Sequence, residues 1–213
     1  MKRFERKYRI LGMDYSIVHQ QIRSHPAGFR TLYPDRQINN VYFDTPDLEL
    51  FRDNLAGIGS RRKYRVRWYG EDIDIISSPR LETKMRDNEL GEKIVRELPG
   101  EIISSINSLS YYISKDLSSN YSIDPVLMNT YKRSYLISND KKFRATIDRN
   151  MKFYSLNLKK ERSFFPVADY SCIVEIKYDE HHDDDWDHIS QSMPFRSTKN
   201  SKYITGILLT SDF

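Results

Sequence analysis

The sequence has little of what several common classes of protein require. Only one of its 213 residues is a cysteine, Cys172, which excludes an intramolecular disulfide. No uncharged apolar run approaches the roughly 18 residues that a membrane-spanning helix needs. The first residues, MKRFERKYRI, also lack the apolar core of a secretory signal. These absences predict a soluble protein of a reducing, cytoplasmic compartment. It would not insert into a membrane directly, and work at a membrane would require a membrane-protein partner.

Glycine is scarce as well, which argues against nucleotide binding by a glycine-rich loop. Gly57 and Gly59 are not followed by the Gly-Lys-Ser or Gly-Lys-Thr that a P-loop places before a helix. The stretch HHDDD at 181–185 matches no established spacing of metal ligands and is better explained as the solvated start of a helix. Cys172 alternates with apolar residues, a pattern that indicates a packing role.

The charges of the chain almost cancel, so total charge does not identify a partner. The sequence has 34 Lys and Arg against 30 Asp and Glu, a formal net charge of +4. A strong positive field must therefore arise from the local arrangement of side chains. The length fits one large domain over residues 1–213, and no repeat or low-complexity linker interrupts it.

Alternation of polar and apolar residues with a period of two dominates the chain and predicts a β-rich α+β protein. Strands are predicted over 3–11, 37–44, 61–69, 80–86, 92–98, 128–138, 142–148, 151–157 and 171–178. Helices are predicted after Asp14, from Thr45-Pro46 to about Gly57, over 101–117, from the acids at 183–185, and over 203–209. Asn139-Asp140 is predicted to form a hairpin turn.

The segment SRRKYRVRWYG, residues 60–70, shows the charge pattern most clearly. Its cations Arg61, Lys63, Arg65 and Arg67 alternate with Tyr64, Val66 and Trp68. Basic and apolar side chains therefore lie on opposite faces of this strand. For any one strand, an antiparallel sheet with one solvated face explains the pattern. Four further strands repeat it, however, and like charges at opposed positions destabilise strand pairing. The repetition therefore predicts a bound anion that offsets the repulsion.

Two geometries would place an anion against such faces. An open sheet could bind nucleic acid by stacking bases on aromatic residues, but here the aromatic residues lie on the face opposite the cations. A closed barrel with a charged lumen and an apolar outer wall would instead bind a compact polyanion. Glu5, Glu82, Asp148 and Glu175 share the charged faces and indicate a divalent cation with oxygen ligands. Basic residues, a metal ion and phosphate are the components of phosphoryl transfer.

Eight short motifs carry a resemblance to a known family. They are FERKYRI (4–10), NNVYFDTPDLELF (39–51), SRRKYRVRWYG (60–70), LETK (81–84), TYKRSY (130–135), FRATID (143–148), IVEIKY (173–178) and NSKYITGI (200–207). In this order they resemble the VTC domain, the polyphosphate polymerase branch of the triphosphate tunnel metalloenzymes. The resemblance implies a closed eight-stranded antiparallel β tunnel barrel with helices packed on the outside.

The resemblance also implies roles for individual residues. The expected catalytic residues are Arg65, Arg67, Lys84, Arg133 and Arg144, and the same five with Lys7 and Lys202 are expected to bind the substrates ATP and inorganic polyphosphate. Glu175 and Glu5 are expected to bind a Mn or Mg ion. Glu5 and Glu82 have a second interpretation, in which they pair with neighbouring lysines and arginines instead. No nucleic-acid partner is expected.

The first strand departs from the wider superfamily. Its triphosphatases and cyclases carry Glu-x-Glu-x-Lys, whereas this chain has Arg3-Phe4-Glu5-Arg6-Lys7. One carboxylate fewer disfavours a metal-activated water and favours a polyphosphate polymerase, a metal-dependent phosphotransferase that moves the γ-phosphate of ATP to a polyphosphate chain. Two alternatives stay open: a triphosphatase of inorganic or nucleoside triphosphates, and a non-catalytic module that binds polyphosphate or another polyanion.

Overall fold

The computed structural model describes residues 3–87, 90–98, 102–103, 106, 109, 111, 113, 122–156 and 165–211. The strands are β1 (Arg3–Ile10), β2 (Arg30–Asp44), β3 (Ser60–Tyr69), β4 (Ile76–Ser77), β5 (Arg80–Asp87), β6 (Leu90–Glu97), β7 (Ile102–Ile103), β8 (Asp124–Ile137), β9 (Arg144–Ser155), β10 (Val167–Asp169) and β11 (Cys172–Asp179). The helices are α1 (Tyr15–Arg23), α2 (Glu49–Ala56), α3 (Trp186–Gln191) and α4 (Lys202–Thr210), with a 3₁₀ turn at Glu180–His182. None of the helices described has the length and apolar character that a membrane crossing requires.

Most of the predicted strands are confirmed, with small shifts at their ends, but β2 begins at Arg30 and so extends well before the predicted start at residue 37. The two strands predicted over 142–148 and 151–157 form one strand, β9, which continues through Asn150 although this residue adopts a left-handed conformation with φ of 54°. Residue 157 lies outside the described residues. The helix predicted over 101–117 also lies largely outside them, and its residues 102–103 form β7.

The larger sheet is antiparallel in its described pairings and open, where a closed barrel was predicted. Its strands follow the order β1-β11-β9-β8-β2-β3-β5-β6, with β10 beside β9, and within the described residues β1 and β6 form its two ends. The free edge on β6 has a physical basis. Glu92, Lys93, Arg96 and Glu97 are all exposed there, and charged side chains of this kind protect an edge strand from pairing further.

The residues group into two compact units built from interleaved segments. The first unit comprises Met1–Arg36, Tyr131–Met151 and Asp169–Asn200, and the second comprises Gln37–Thr130, Lys152–Ala168 and Ser201–Phe213. Each unit has its own hydrophobic core. The single domain over residues 1–213 stays a prediction.

In the first unit, the apolar positions of β1, β9 and β11 form one side of the core. The buried residues include Tyr8, Ile10, Ala145, Ile147, Cys172, Val174, Ile176 and Tyr178, and α1 packs on them through Val18 and Ile22. The packing role predicted for Cys172 is confirmed, since its side chain is buried in this core. The apolar alternation read from the sequence therefore selects the core-facing side of these strands.

In the second unit, β3 divides its two faces in the same way. Tyr64, Val66 and Trp68 are buried and pack with Val41, Phe43 and Leu81. Arg65 and Arg67 belong to the opposite parity, and β3 pairs there with Tyr42 and Asn40 of β2. The separation of basic and apolar faces on this strand is thus confirmed.

Helix α4 departs from the expectation that helices cover only the apolar face. Its Tyr203 stacks on Tyr42, with ring centroids 5.1 Å apart, and Tyr42 is the direct strand partner of Arg65. The Tyr203 hydroxyl donates to the carboxylate of Asp44 at the end of β2. Because Tyr42 and Asp44 alternate with the core residues Val41 and Phe43, α4 packs against the charged face of the second unit.

Asp44 also organises the start of α2. Its carboxylate accepts hydrogen bonds from the backbone N–H groups of Thr45, Leu50 and Phe51 at 2.7 to 2.9 Å. The Thr45 hydroxyl accepts a further one from Glu49, so the predicted cap contributes although the helix begins only at Glu49. The predicted end near Gly57 is confirmed, because Gly57 adopts a left-handed conformation with φ of 72°.

Replacing Gly206 of α4 tests how closely this helix packs. A Cβ atom at Gly206 would lie 2.6 Å from Cδ1 of Phe153 and would also clash with Leu127. Gly206→Ala should therefore lower the free energy of unfolding by about 1–3 kcal/mol. In a loosely packed helix the same change would raise it by up to about 1 kcal/mol. Chemical denaturation measures the sign, with Leu208→Ala, at an exposed position of the same helix, as control.

Candidate functional site

The first unit carries a cluster of charges on the polar face of β1, β8, β9 and β11. We call Glu5, Lys7, Arg133, Asp148, Glu175 and Lys177 the first charged cluster. Strand register places Lys7 opposite Glu175 and Glu5 opposite Lys177. The Nζ atom of Lys7 lies 2.6 Å from a carboxylate oxygen of Glu5, and that of Lys177 lies 2.6 Å from one of Glu175. Opposed charges of opposite sign thus stabilise this strand pair.

Arg133 and Asp148 form a bidentate ion pair within this cluster. The Nε and Nη2 atoms of Arg133 donate to the two oxygens of Asp148 at 2.5 and 2.7 Å, and Asp148 is fully buried. Burial alone would lower the pKa of Arg133, but the attraction of Asp148 outweighs this effect and raises that pKa further. The guanidinium also lies 5.4 Å from the centre of the Tyr131 ring. Arg133 is therefore a permanently charged group held in one orientation.

Glu175 is ionised although it is buried. Burial would raise the pKa of its carboxyl group, but the positive charges of Lys177, Lys7 and Arg133 outweigh burial and hold that pKa well below its usual range. Glu175 therefore remains an anionic oxygen donor at neutral pH, as the predicted metal ligand must.

The predicted metal ligands, Glu175 and Glu5, fit a divalent cation if one lysine moves. Lys177 places its ammonium group 2.6 Å from Glu175 and 3.6 Å from Glu5, so a single cationic position already exists between the two carboxylates. The Lys177 side chain is nearly half exposed, so solvent can accommodate its ammonium group if an ion takes this position. Two carboxylates with phosphate oxygens and water form a donor set that Mg²⁺ accepts. Among the described residues, no three His, Cys, Asp or Glu side chains gather into a metal site.

The second unit carries a cluster in which cations predominate. We call Arg65, Arg67, Glu82 and Lys93 the second charged cluster. Arg65 donates to Glu82 through Nε at 2.7 Å, while Nη1 of Arg67 and Nζ of Lys93 lie 3.5 and 3.2 Å from the same carboxylate. In the contacts that the structure describes, three cations thus surround one acid. A gathering of cations in a partly buried place favours the binding of an anion.

The pKa values in the second charged cluster follow from burial and mutual attraction. Burial would raise the pKa of Glu82, but Arg65, Arg67 and Lys93 lower it to about 2. Burial also lowers the pKa of Lys93, with Glu82 opposing and Arg65 contributing to the decrease. Of the two interpretations left open for Glu82, the structure therefore supports pairing with neighbouring cations.

Three lysines form a row across neighbouring strands of the second unit. Lys63 of β3 is the direct partner of Lys84 of β5, and Lys84 is the direct partner of Lys93 of β6. Directly opposed like charges destabilise a sheet. Lys63 donates to the Ser201 hydroxyl at 3.0 Å, and Ser201 caps α4 immediately before Lys202. The lysine row therefore approaches the start of α4, where Lys202 was predicted to contact phosphate.

The structure brings the predicted site residues together in two groups. Lys7, Arg133, Glu5 and Glu175 lie in the first charged cluster, while Arg65 and Arg67 lie in the second. Arg144 is exposed on β9 and is the strand partner of Lys177, so it borders the first cluster. Lys84 belongs to the lysine row. Sequence reasoning missed Lys93. The signal that could have identified it is its place in the predicted strand 92–98, where it lies opposite Lys84.

Comparisons with known proteins identify a family and a shared fold. The family model of the VTC domain matches residues 2–211, and no curated protein matches the sequence significantly. A candidate adenylate cyclase of Vibrio parahaemolyticus has a similar structure, with a TM-score of 0.54 and 13% identity over 95% of this chain and 97% of its own. A candidate adenylate cyclase of Bacillus halodurans is also similar, with a TM-score of 0.55 and 16% identity over 95% of this chain and 98% of its own.

A protein of Pyrococcus horikoshii is also similar, with a TM-score of 0.52 and 10% identity over 97% of this chain and 95% of its own. At these identities the three structures establish a common fold and nothing about activity. The family match covers nearly the whole chain, and the protein therefore belongs to the VTC domain family.

Removing the carboxylate of Glu82 should destabilise the protein in a pH-dependent way. Glu82→Gln removes the negative charge that three cations contact, so we expect a loss of about 1–3 kcal/mol at pH 7. Because folding lowers the pKa of Glu82 from 4.5 to about 2, its contribution is fully present above pH 4.5 and disappears as the pH falls toward 2. Denaturation at several pH values checks this trend. Glu97→Gln, whose carboxylate is exposed on β6, should change stability little at any pH.

Proposed function

We propose that this protein is a metal-dependent polyphosphate polymerase, a phosphotransferase that transfers the γ-phosphate of ATP to the end of an inorganic polyphosphate chain. The observation that carries the proposal is the gathering of three cations on Glu82, together with the lysine row beside it. A polyanion with closely spaced phosphates is the ligand that such an arrangement suits. Membership of the VTC domain family supports the same substrate class.

The proposed roles follow from the chemistry of each side chain. Arg65 and Arg67 bind phosphate oxygens through the fork of the guanidinium group, whose geometry matches two oxygens at once. Lys84 and Lys202 neutralise phosphates as point charges. Lys7, Arg133 and Arg144 do the same in the first unit, where Arg133 is already oriented by Asp148. Catalysis then consists of aligning donor and acceptor phosphates and stabilising the charge that develops on the transferred group.

Glu175 and Glu5 would hold the Mn or Mg ion. When bound, this ion supplies charge neutralisation on the phosphate oxygens of the substrate. In our proposal Lys177, which occupies the cationic position between the two carboxylates, would give way to the ion there. The transfer requires no protein nucleophile, since the terminal phosphate of the chain is the acceptor.

The first strand favours transfer over hydrolysis. Arg3 occupies the position at which the hydrolytic members of the superfamily carry a glutamate, and its Nε atom donates to Asp179 at 2.8 Å. A cation at this position cannot help to hold a metal-activated water. A triphosphatase is therefore the second candidate, and it is distinguished by its product. Incubation with ATP and Mn followed by gel electrophoresis should reveal long polyphosphate chains for a polymerase and only orthophosphate for a triphosphatase.

Arg65→Ala and Arg67→Ala should each reduce polyphosphate synthesis by at least about 100-fold, because each removes a charge that stabilises the transition state. Arg62→Ala is the matched control, since Arg62 lies on the same strand, is exposed and has the opposite parity. Synthesis is measured as acid-stable phosphate formed from ATP, and folding is verified by circular dichroism. Full activity in a folded Arg65→Ala or Arg67→Ala variant would contradict the role assigned to these arginines.

Glu175→Gln should abolish metal-dependent turnover while leaving the binding of polyphosphate nearly intact. The amide removes the anionic ligand and keeps the shape of the side chain, and the positive charges that attract the polyanion remain. Turnover is measured across a titration of Mn or Mg, and binding is measured by fluorescence anisotropy of labelled polyphosphate. A non-catalytic binding module would bind polyphosphate equally well in both forms and show no turnover in the wild type.

A further inference from the structure

A chain of buried hydrogen bonds extends from Arg67 into the second unit. The Nε atom of Arg67 donates to the side-chain oxygen of Asn40 at 2.9 Å, and the amide nitrogen of Asn40 donates to the side-chain oxygen of Asn129 at 2.9 Å. Asn40 and Asn129 are both fully buried. The chain ends at the amide nitrogen of Asn129, which has no acceptor within hydrogen-bond distance among the described residues.

The direction of this chain is determined by the guanidinium group. Arginine has donors and no acceptor, so Asn40 must present its oxygen to Arg67. Its amide nitrogen then faces Asn129, which must in turn present its own oxygen. Both N–H groups of Asn129 are therefore left as donors, and exchanging the oxygen and nitrogen of either amide would place two donors or two acceptors together.

An unpaired donor in this position is both costly and strongly polarised. A buried donor without a partner has lost its hydrogen bond to water and gained none in exchange. The bonds from Arg67 through Asn40 align their dipoles in one direction, which strengthens each successive donor. The positive end of this series is the amide nitrogen of Asn129, so an anionic oxygen is the acceptor it favours most.

We propose that Asn129 is a further substrate-binding residue, whose amide donates to an oxygen of a phosphate that Arg67 also binds. The proposal rests on the proposed function, because it requires Arg67 to bind phosphate. It adds a neutral donor to a site in which every predicted binding residue is a cation. An ordered water is the other acceptor that would satisfy this amide, and in that case Asn129 would only support the fold.

Binding of inorganic tripolyphosphate without metal tests the proposal, since it depends on neither turnover nor the ion. Asn129→Asp keeps the size of the side chain and an oxygen to accept from Asn40, but it replaces the donor by a carboxylate. We expect the Kd measured by calorimetry to rise at least about tenfold, and Asn129→Ser to raise it by about tenfold. Asn39→Ala is the matched control. Asn39 is an equally buried amide on β2 that donates to Gly70 from the opposite face, so its loss should leave the Kd unchanged.

A second measurement uses the wild-type protein and does not depend on the folding of a variant. The assigned side-chain ¹⁵N–¹H resonances of Asn129 should shift on addition of tripolyphosphate, while those of Asn39 stay in place. An unchanged Kd in both Asn129 variants, or resonances of Asn129 that do not respond, would overturn the proposal and assign a water to the amide.

The outcomes also separate this inference from the proposed function. A wild-type protein that binds tripolyphosphate through Asn129 but makes no polymer would contradict the polymerase and support the role of Asn129. A wild-type protein that makes polymer with Asn129 variants of unaltered affinity would contradict only the inference. Absence of tripolyphosphate binding to the wild type would overturn both.

Discussion

Repulsion between like charges on neighbouring strands is the constraint on which the second unit depends. Lys63, Lys84 and Lys93 lie directly opposite one another on three strands, and Arg65 and Arg67 follow on the same face. Glu82 relieves part of this repulsion by contacting three of the cations. The remaining cost is borne by the hydrophobic core on the other face, where Tyr64, Val66 and Trp68 are almost fully buried. The hydrophobic core therefore holds these cations close together on one face of the sheet.

In the first unit, charged side chains also lie close together on neighbouring strands, but positive and negative charges are balanced. Its cations are matched by Glu5, Asp148 and Glu175, so its strands attract one another where those of the second unit repel. The two clusters therefore differ in what they offer to a ligand. The first offers carboxylates that an ion can bind together with an oriented arginine, and the second offers mainly positive charge.

The strands and the division of their faces could be predicted from the sequence, because alternation is a local property of each strand. The alternation of Arg65 and Arg67 with Val66 and Trp68 is visible in the residues themselves. Tertiary features were harder to predict. The open sheet depends on whether β1 and β6 meet, and the position of α4 depends on a bond between Tyr203 and Asp44, which local patterns do not encode. The role proposed for Asn129 depends on the direction of a hydrogen-bond chain and likewise requires coordinates.

Asp44 gives this architecture a temporal order during folding. Its carboxylate binds the start of α2, which is close in sequence, and also Tyr203, which lies 159 positions away. Local contacts form early, whereas a contact at this separation requires the closure of a very long loop. During synthesis, the caps at the start of α2 can therefore form well before α4 exists. Ser201 reaches Lys63 only when α4 docks, so the surroundings of Lys63 are complete only after this docking.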